Sequence, residues 1–67
     1  MYWHNHDKIA QSLEDNYPDY EIETTKTKEI EEMIKSLNDF DEHYANPSKE
    51  TLNSIIENWL DLRAENN

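Results

Sequence analysis

The residues of this chain with the most chemistry to offer stand in one short stretch, Leu37-Asn38-Asp39-Phe40-Asp41-Glu42-His43. Three carboxylates and an imidazole surround a single aromatic ring there. Oxygen donors with one nitrogen donor suit ferrous iron or manganese better than copper or zinc–thiolate chemistry. Asp39, Asp41, Glu42 and His43 are therefore the candidate metal ligands. An apolar residue flanked by acids also reads as a turn, with Phe40 tucked inward and the acids held out in water. A charge run of this kind is otherwise an ordinary solvated face, and the residues alone leave both readings open. Glu31 and Glu32 precede the corner, and Glu50, Glu57 and Asp61 follow it. With Asp39, Asp41 and Glu42 they make up the candidate partner-binding surface.

Other constellations offer less. His4-Asn5-His6 places two imidazoles on one side of an extended segment, but no third ligand stands near them in sequence. The Ser and Thr residues lack a His/Asp arrangement, and a chain without glycine has no loop to cradle phosphates. With no cysteine there is no thiolate nucleophile, thiolate metal site or disulfide. A glycosidase-like pair of carboxylates needs a cleft that 67 residues struggle to enclose. The expectation is a protein that is not an enzyme.

The charge balance points to partners. Sixteen acids against six bases give a net charge of −10. A phosphate backbone is bound largely by Lys and Arg, so no nucleic-acid ligand is expected. A basic protein surface or a hard cation fits instead, and self-repulsion favours a monomer. No apolar run is long enough for a membrane span or a signal-peptide core, and no disulfide staples the chain, so a soluble, cytoplasmic protein is expected. Low hydrophobicity with high charge pushes toward disorder. Two Trp, four Tyr, one Phe and three periodic segments oppose it.

Those segments must position the corner. Ile9, Ala10, Leu13 and Tyr17 share a face, Asn5 suits an N-cap, and Pro18 ends the run, giving a helix over about 6–16. Tyr20–Thr24 alternates with period two and reads as a short extended segment. Thr27 suits the N-cap of a second helix, over 28–37, whose Ile30, Met33, Ile34 and Leu37 follow the i, i+3, i+4, i+7 pattern. Asn46-Pro47 starts a third over 47–62, Asn as cap and Pro in the first turn. Its stripe is Leu52, Ile55, Ile56, Trp59 and Leu60, with Glu50, Ser54, Glu57 and Asp61 opposite. Residues 63–67 read as a fraying tail. The fold class is mainly α: three helices in a single domain over residues 1–67.

In order and spacing, Trp3, Ile9, Leu13, Tyr17-Pro18-Asp19, Leu37-x-Asp39-Phe40-Asp41, Leu52-x-x-Ile55 and Trp59-Leu60-Asp61 resemble the IscX (YfhJ-like) family of bacterial iron–sulfur cluster assembly proteins. The resemblance runs from Trp3 to Asp61 without a gap. It implies a modified winged-helix fold with a vestigial wing. It implies weak, reversible binding of ferrous iron (Fe2+) at an acidic surface and docking on a basic patch of the cysteine desulfurase, with the cluster scaffold protein and ferredoxin as further partners. The role it implies is an adaptor or regulator. Glu42 and His43 stand where the family continues its acidic run with aspartates, and the imidazole makes ion binding pH-sensitive near neutrality. A reading from another class is an acidic mimic of nucleic acid, or another interaction module with no specific metal role.

Overall fold

The computed structural model describes residues 1–42 and 46–66, and of Asn66 the backbone only. Three helices follow one another: α1 His6–Asn16, α2 Thr27–Lys35 and α3 Lys49–Asn66. There is no strand among the described residues. Helices α1 and α3 form the principal helix pair, and α2 touches α1 over a narrower area.

The apolar spacing of each helix accounts for this arrangement. Ile9, Ala10 and Leu13 of α1, Ile30 and Ile34 of α2, and Leu52, Ile55 and Trp59 of α3 are all buried. Trp3, Ile22, Leu37 and Phe40 join them from segments outside the helices, so the connections contribute directly to the core. Ile56 and Leu60 of the α3 stripe pack at its margin, partly exposed. Fully burying an aliphatic or aromatic side chain of this kind contributes roughly 1.5–3 kcal/mol.

Helix ends show how the chain turns. Tyr17 closes α1 by donating its N–H to the Leu13 carbonyl at 2.8 Å, and Pro18 cannot continue the helix. At the start of α2, Lys26 occupies the cap position in an extended conformation and makes no side-chain cap hydrogen bond. Thr27, expected as the cap, is the first helical residue instead. The reason lies just upstream, where the expected extended segment is in fact a turn. Thr25 N–H bonds the Ile22 carbonyl at 3.3 Å and its hydroxyl bonds the Glu21 carbonyl at 2.5 Å. That turn delivers Lys26 to the position whose carbonyl accepts Glu29 and Ile30, and Ile22 enters the core. The rest of the connection between α1 and α2 is likewise made of turns.

The third helix also differs from expectation at both ends. Ser48, not Asn46, caps it: its hydroxyl accepts the Thr51 N–H at 3.2 Å while its carbonyl accepts Leu52 at 3.1 Å. Pro47 therefore precedes the cap rather than occupying the first turn. The Asn46 side chain accepts instead from Lys35 at 3.4 Å. At the far end the helix does not fray at residue 63 but continues to Asn66, because Arg63 is tied into the body of the domain.

Candidate functional site

The acidic corner begins where α2 ends. Ser36 closes that helix, with its N–H and hydroxyl both bonded to the Glu32 carbonyl. Leu37 N–H bonds Ile34, and Phe40 N–H bonds Leu37 at 3.2 Å, so the chain turns sharply over 37–40. Leu37 and Phe40 are buried, and Phe40 meets Trp3 edge-to-face with ring centroids 4.6 Å apart. With the rings anchored inside, Asp39 and Asp41 face water and Glu42 is half-buried.

The N-terminal segment straps this corner. Asp41 N–H bonds the Met1 carbonyl at 2.8 Å, and Trp3 N–H bonds Glu42 Oε1 at 3.0 Å. The Met1 ammonium bonds both the Asp39 carbonyl, at 2.6 Å, and the Asp41 carboxylate. The corner is thus a held structure rather than a loose acidic loop. One oxygen of Asp41 and one of Glu42 are committed within the chain, and Asp39 keeps its carboxylate on the surface.

Asp39 also lines a concavity of about 270 Å³ with Ser12, Asn16, Tyr17, Ser36, Leu37 and Asn38. It lies where the C-terminal ends of α1 and α2 meet. Both ends carry partial negative charge. No basic residue stands in the last turn of α1, and in α2 the only one, Lys35, is paired with Glu31 at 3.1 Å. Carboxylate, amide and hydroxyl oxygens beside two helix C-termini suit a hard cation. Among the described residues, no group of three or more His, Asp or Glu side chains converges as a metal-ligand set. His43, the fourth expected ligand, lies outside the described residues. His4 is exposed and stacks on Tyr2, while His6 starts α1.

The expected partner-binding residues fall into three places. Glu31 is half-buried in its pair with Lys35, and Glu32 next to it is exposed. Asp39, Asp41 and Glu42 belong to the strapped corner. Glu50, Glu57 and Asp61 are all exposed along α3, at a spacing that keeps them on its outer side. Asp61 also lines a groove of about 430 Å³ between α1 and α3, with Asp7, Lys8, Gln11, Asn58, Leu62 and Glu65. No hydrogen bond or ion pair joins the three places among the described residues.

One constellation escaped the sequence reading. Glu14 is buried, and its Oε1 accepts both Trp59 Nε1 at 3.0 Å and Arg63 Nε at 2.8 Å. Arg63 further donates to the carbonyls of Tyr20 at 2.8 Å and Tyr17 at 2.9 Å, with its guanidinium 5.8 Å from the Trp59 ring centroid. A signal for it existed. A buried Trp requires an acceptor for its N–H, and Trp59 and Arg63 are one helical turn apart. The role of this network is to fasten α3 to α1 and to the α1–α2 connection.

No curated protein and no solved structure matches the chain. A family model described as iron–sulphur cluster assembly matches residues 1–64. With the resembling motifs in place on this fold, the chain belongs to the IscX (YfhJ-like) family of iron–sulphur cluster assembly proteins.

Proposed function

We propose that this protein is a non-catalytic adaptor or regulator of iron–sulphur cluster assembly, which works as a monomer by docking its acidic surface on a basic patch of the cysteine desulfurase. One observation carries the reading. Glu32, Asp39, Asp41, Glu50, Glu57 and Asp61 are exposed, whereas two of the six basic residues, Lys35 and Arg63, are engaged with acids inside the domain. Each of these pairs cancels one charge of either sign, so fourteen acids against four bases remain outside them and the full excess of −10 is left to the rest of the domain. Complementary charge of this kind speeds encounter and sets orientation. Exposed pairs are screened over about 8 Å at physiological salt, so binding weakens as salt rises.

Ferrous iron enters as cargo or as a regulator, held weakly and reversibly at the corner. Asp39 and the remaining oxygens of Asp41 and Glu42 supply hard donors, and His43 supplies nitrogen. Two of those carboxylates already serve the strap, which favours loose over tight binding. The scaffold protein and ferredoxin are further partners in the same assembly.

Purified desulfurase and this protein are the reagents that test it. Association measured across a salt series is expected to fall with ionic strength, and to fall further on replacing Asp39 and Asp41 by Lys. Binding indifferent to both changes would sink the adaptor reading. Ferrous titration followed by NMR is expected to broaden signals at 39–43 first; broadening centred on His4 and His6 would move the site.

A further inference from the structure

We infer that Tyr2 and His4 form a preorganised aromatic platform beside the acidic corner, which receives an arginine side chain from a basic protein partner. This inference rests on the docking reading above and adds its anchor. Tyr2 is the one large hydrophobic residue exposed among those described, at 49%. Its ring lies parallel to that of His4, within 2°, with centroids 5.9 Å apart.

A surface aromatic in a chain segment near a terminus is ordinarily mobile, but this one is built in. Asn5 N–H bonds the Tyr2 carbonyl at 2.9 Å, and Tyr2 N–H bonds Asn5 Oδ1 at 2.9 Å, closing a turn around the two rings. Met1, just before Tyr2, is bonded to Asp41, and Trp3, between Tyr2 and His4 in sequence, is buried on Phe40 and bonded to Glu42. The backbone that carries both rings is therefore fixed to the corner, and holding them in place adds little ordering cost on binding.

Chemistry selects the occupant. The exposed Asp39 carboxylate of the corner calls for a cation, and the stacked, exposed Tyr2 and His4 rings present flat aromatic surface beside it in the chain. Guanidinium is planar, weakly hydrated and stacks on aromatic faces while its edge donates to carboxylate, whereas ammonium is a strongly hydrated point charge. Tyrosine and arginine are also the residues most enriched at the energetic centres of interfaces. An apolar or acidic partner has no reason to seek this platform.

The test uses the full chain with two short peptides of equal charge, one arginine-rich and one lysine-rich, titrated by NMR. The arginine peptide is expected to bind roughly twofold to fivefold more tightly, with the largest shifts at Tyr2, His4 and the corner. Tyr2→Ala is expected to abolish the preference while Tyr2→Phe retains it, and circular dichroism of each variant checks that the exposed position leaves the fold intact. Equal affinity for the two peptides, or an arginine preference that survives Tyr2→Ala, overturns the platform. Desulfurase association that is salt-sensitive but unaltered by Tyr2→Ala also overturns it while leaving the adaptor reading standing. Arginine selectivity without desulfurase association supports the platform and removes the adaptor reading.

Discussion

Replacing Glu14 by Leu is the perturbation that most directly probes how this small domain is held together. The substitution keeps an apolar-compatible volume beside Leu13 but removes the acceptor shared by Trp59 Nε1 and Arg63 Nε. Two donors then lose a partner in a place where the glutamate side chain was only 8% exposed. Removing one member of a buried pair costs about 3–5 kcal/mol when the remaining charge is stranded. Here the guanidinium keeps the Tyr17 and Tyr20 carbonyls, and its side chain is 20% exposed, which places the loss near the lower bound, about 3 kcal/mol. For a domain of this length each kcal/mol shifts Tm by about 4–8 °C, so a fall of roughly 12–24 °C is expected. Glu14→Gln retains an acceptor oxygen and should lose about half as much, roughly 1.5 kcal/mol, by the ordinary difference between charged and neutral hydrogen bonds. Urea unfolding followed by tryptophan fluorescence measures both, since Trp59 is itself a bonded partner. Arg63→Met combined with Glu14→Leu completes a cycle, and the double variant should be less destabilised than the sum. Two single variants within about 0.5 kcal/mol of the parent, the range of neutral surface changes, would refute the claim that this network fastens α3.

Three further outcomes follow from the same contacts. Phe40→Ala removes the ring packed on Trp3 and should destabilise by about 3–5 kcal/mol, read by urea unfolding, while shifting corner resonances in the NMR spectrum of whatever fraction remains folded. Ser48→Ala deletes the hydroxyl that accepts Thr51 N–H and should cost about 1 kcal/mol, whereas Asn46→Ala, at the position expected from sequence to cap, should cost less; comparative thermal melts decide between the two caps. Lys26→Ser supplies the missing side-chain acceptor at the start of α2 and should raise stability by up to about 1 kcal/mol, seen as a higher Tm without a change in the urea m-value.

Much of this architecture is legible in the residues because helix periodicity and core placement have the same cause. Ile30 and Ile34, or Leu52, Ile55 and Trp59, recur at spacings that a helix turns to one side, and the structure buries them there. Capping was less legible. Several residues near each start can serve as a cap, and what chose between them lay outside the helix: a turn at 22–25 for α2, and a serine one residue past the proline for α3. The alternation at Tyr20–Thr24 misled for a related reason. Ile22 is buried as the pattern asks, but burial of one residue in a turn produces the same short signature as a strand. At the corner, the inward Phe40 and outward acids follow from residue type alone. The strap does not, because backbone hydrogen bonds between residue 1 and residue 41 leave no mark on side-chain patterning. The Glu14–Arg63 pair was hidden in the same way by a separation of 49 residues.

That separation bears on how the protein comes to be folded. The bonds that satisfy Glu14 come from Trp59 and Arg63, and the strap on the corner joins positions about 40 residues apart. During synthesis α1 and α2 are complete while the acceptor at Glu14 still awaits both of these donors, and bringing them together closes loops of 45 and 49 residues. Loop-closure entropy is spent before such distant contacts repay it. The helices can form locally, but the bonds that fasten α3 to α1 wait for the last two turns of α3.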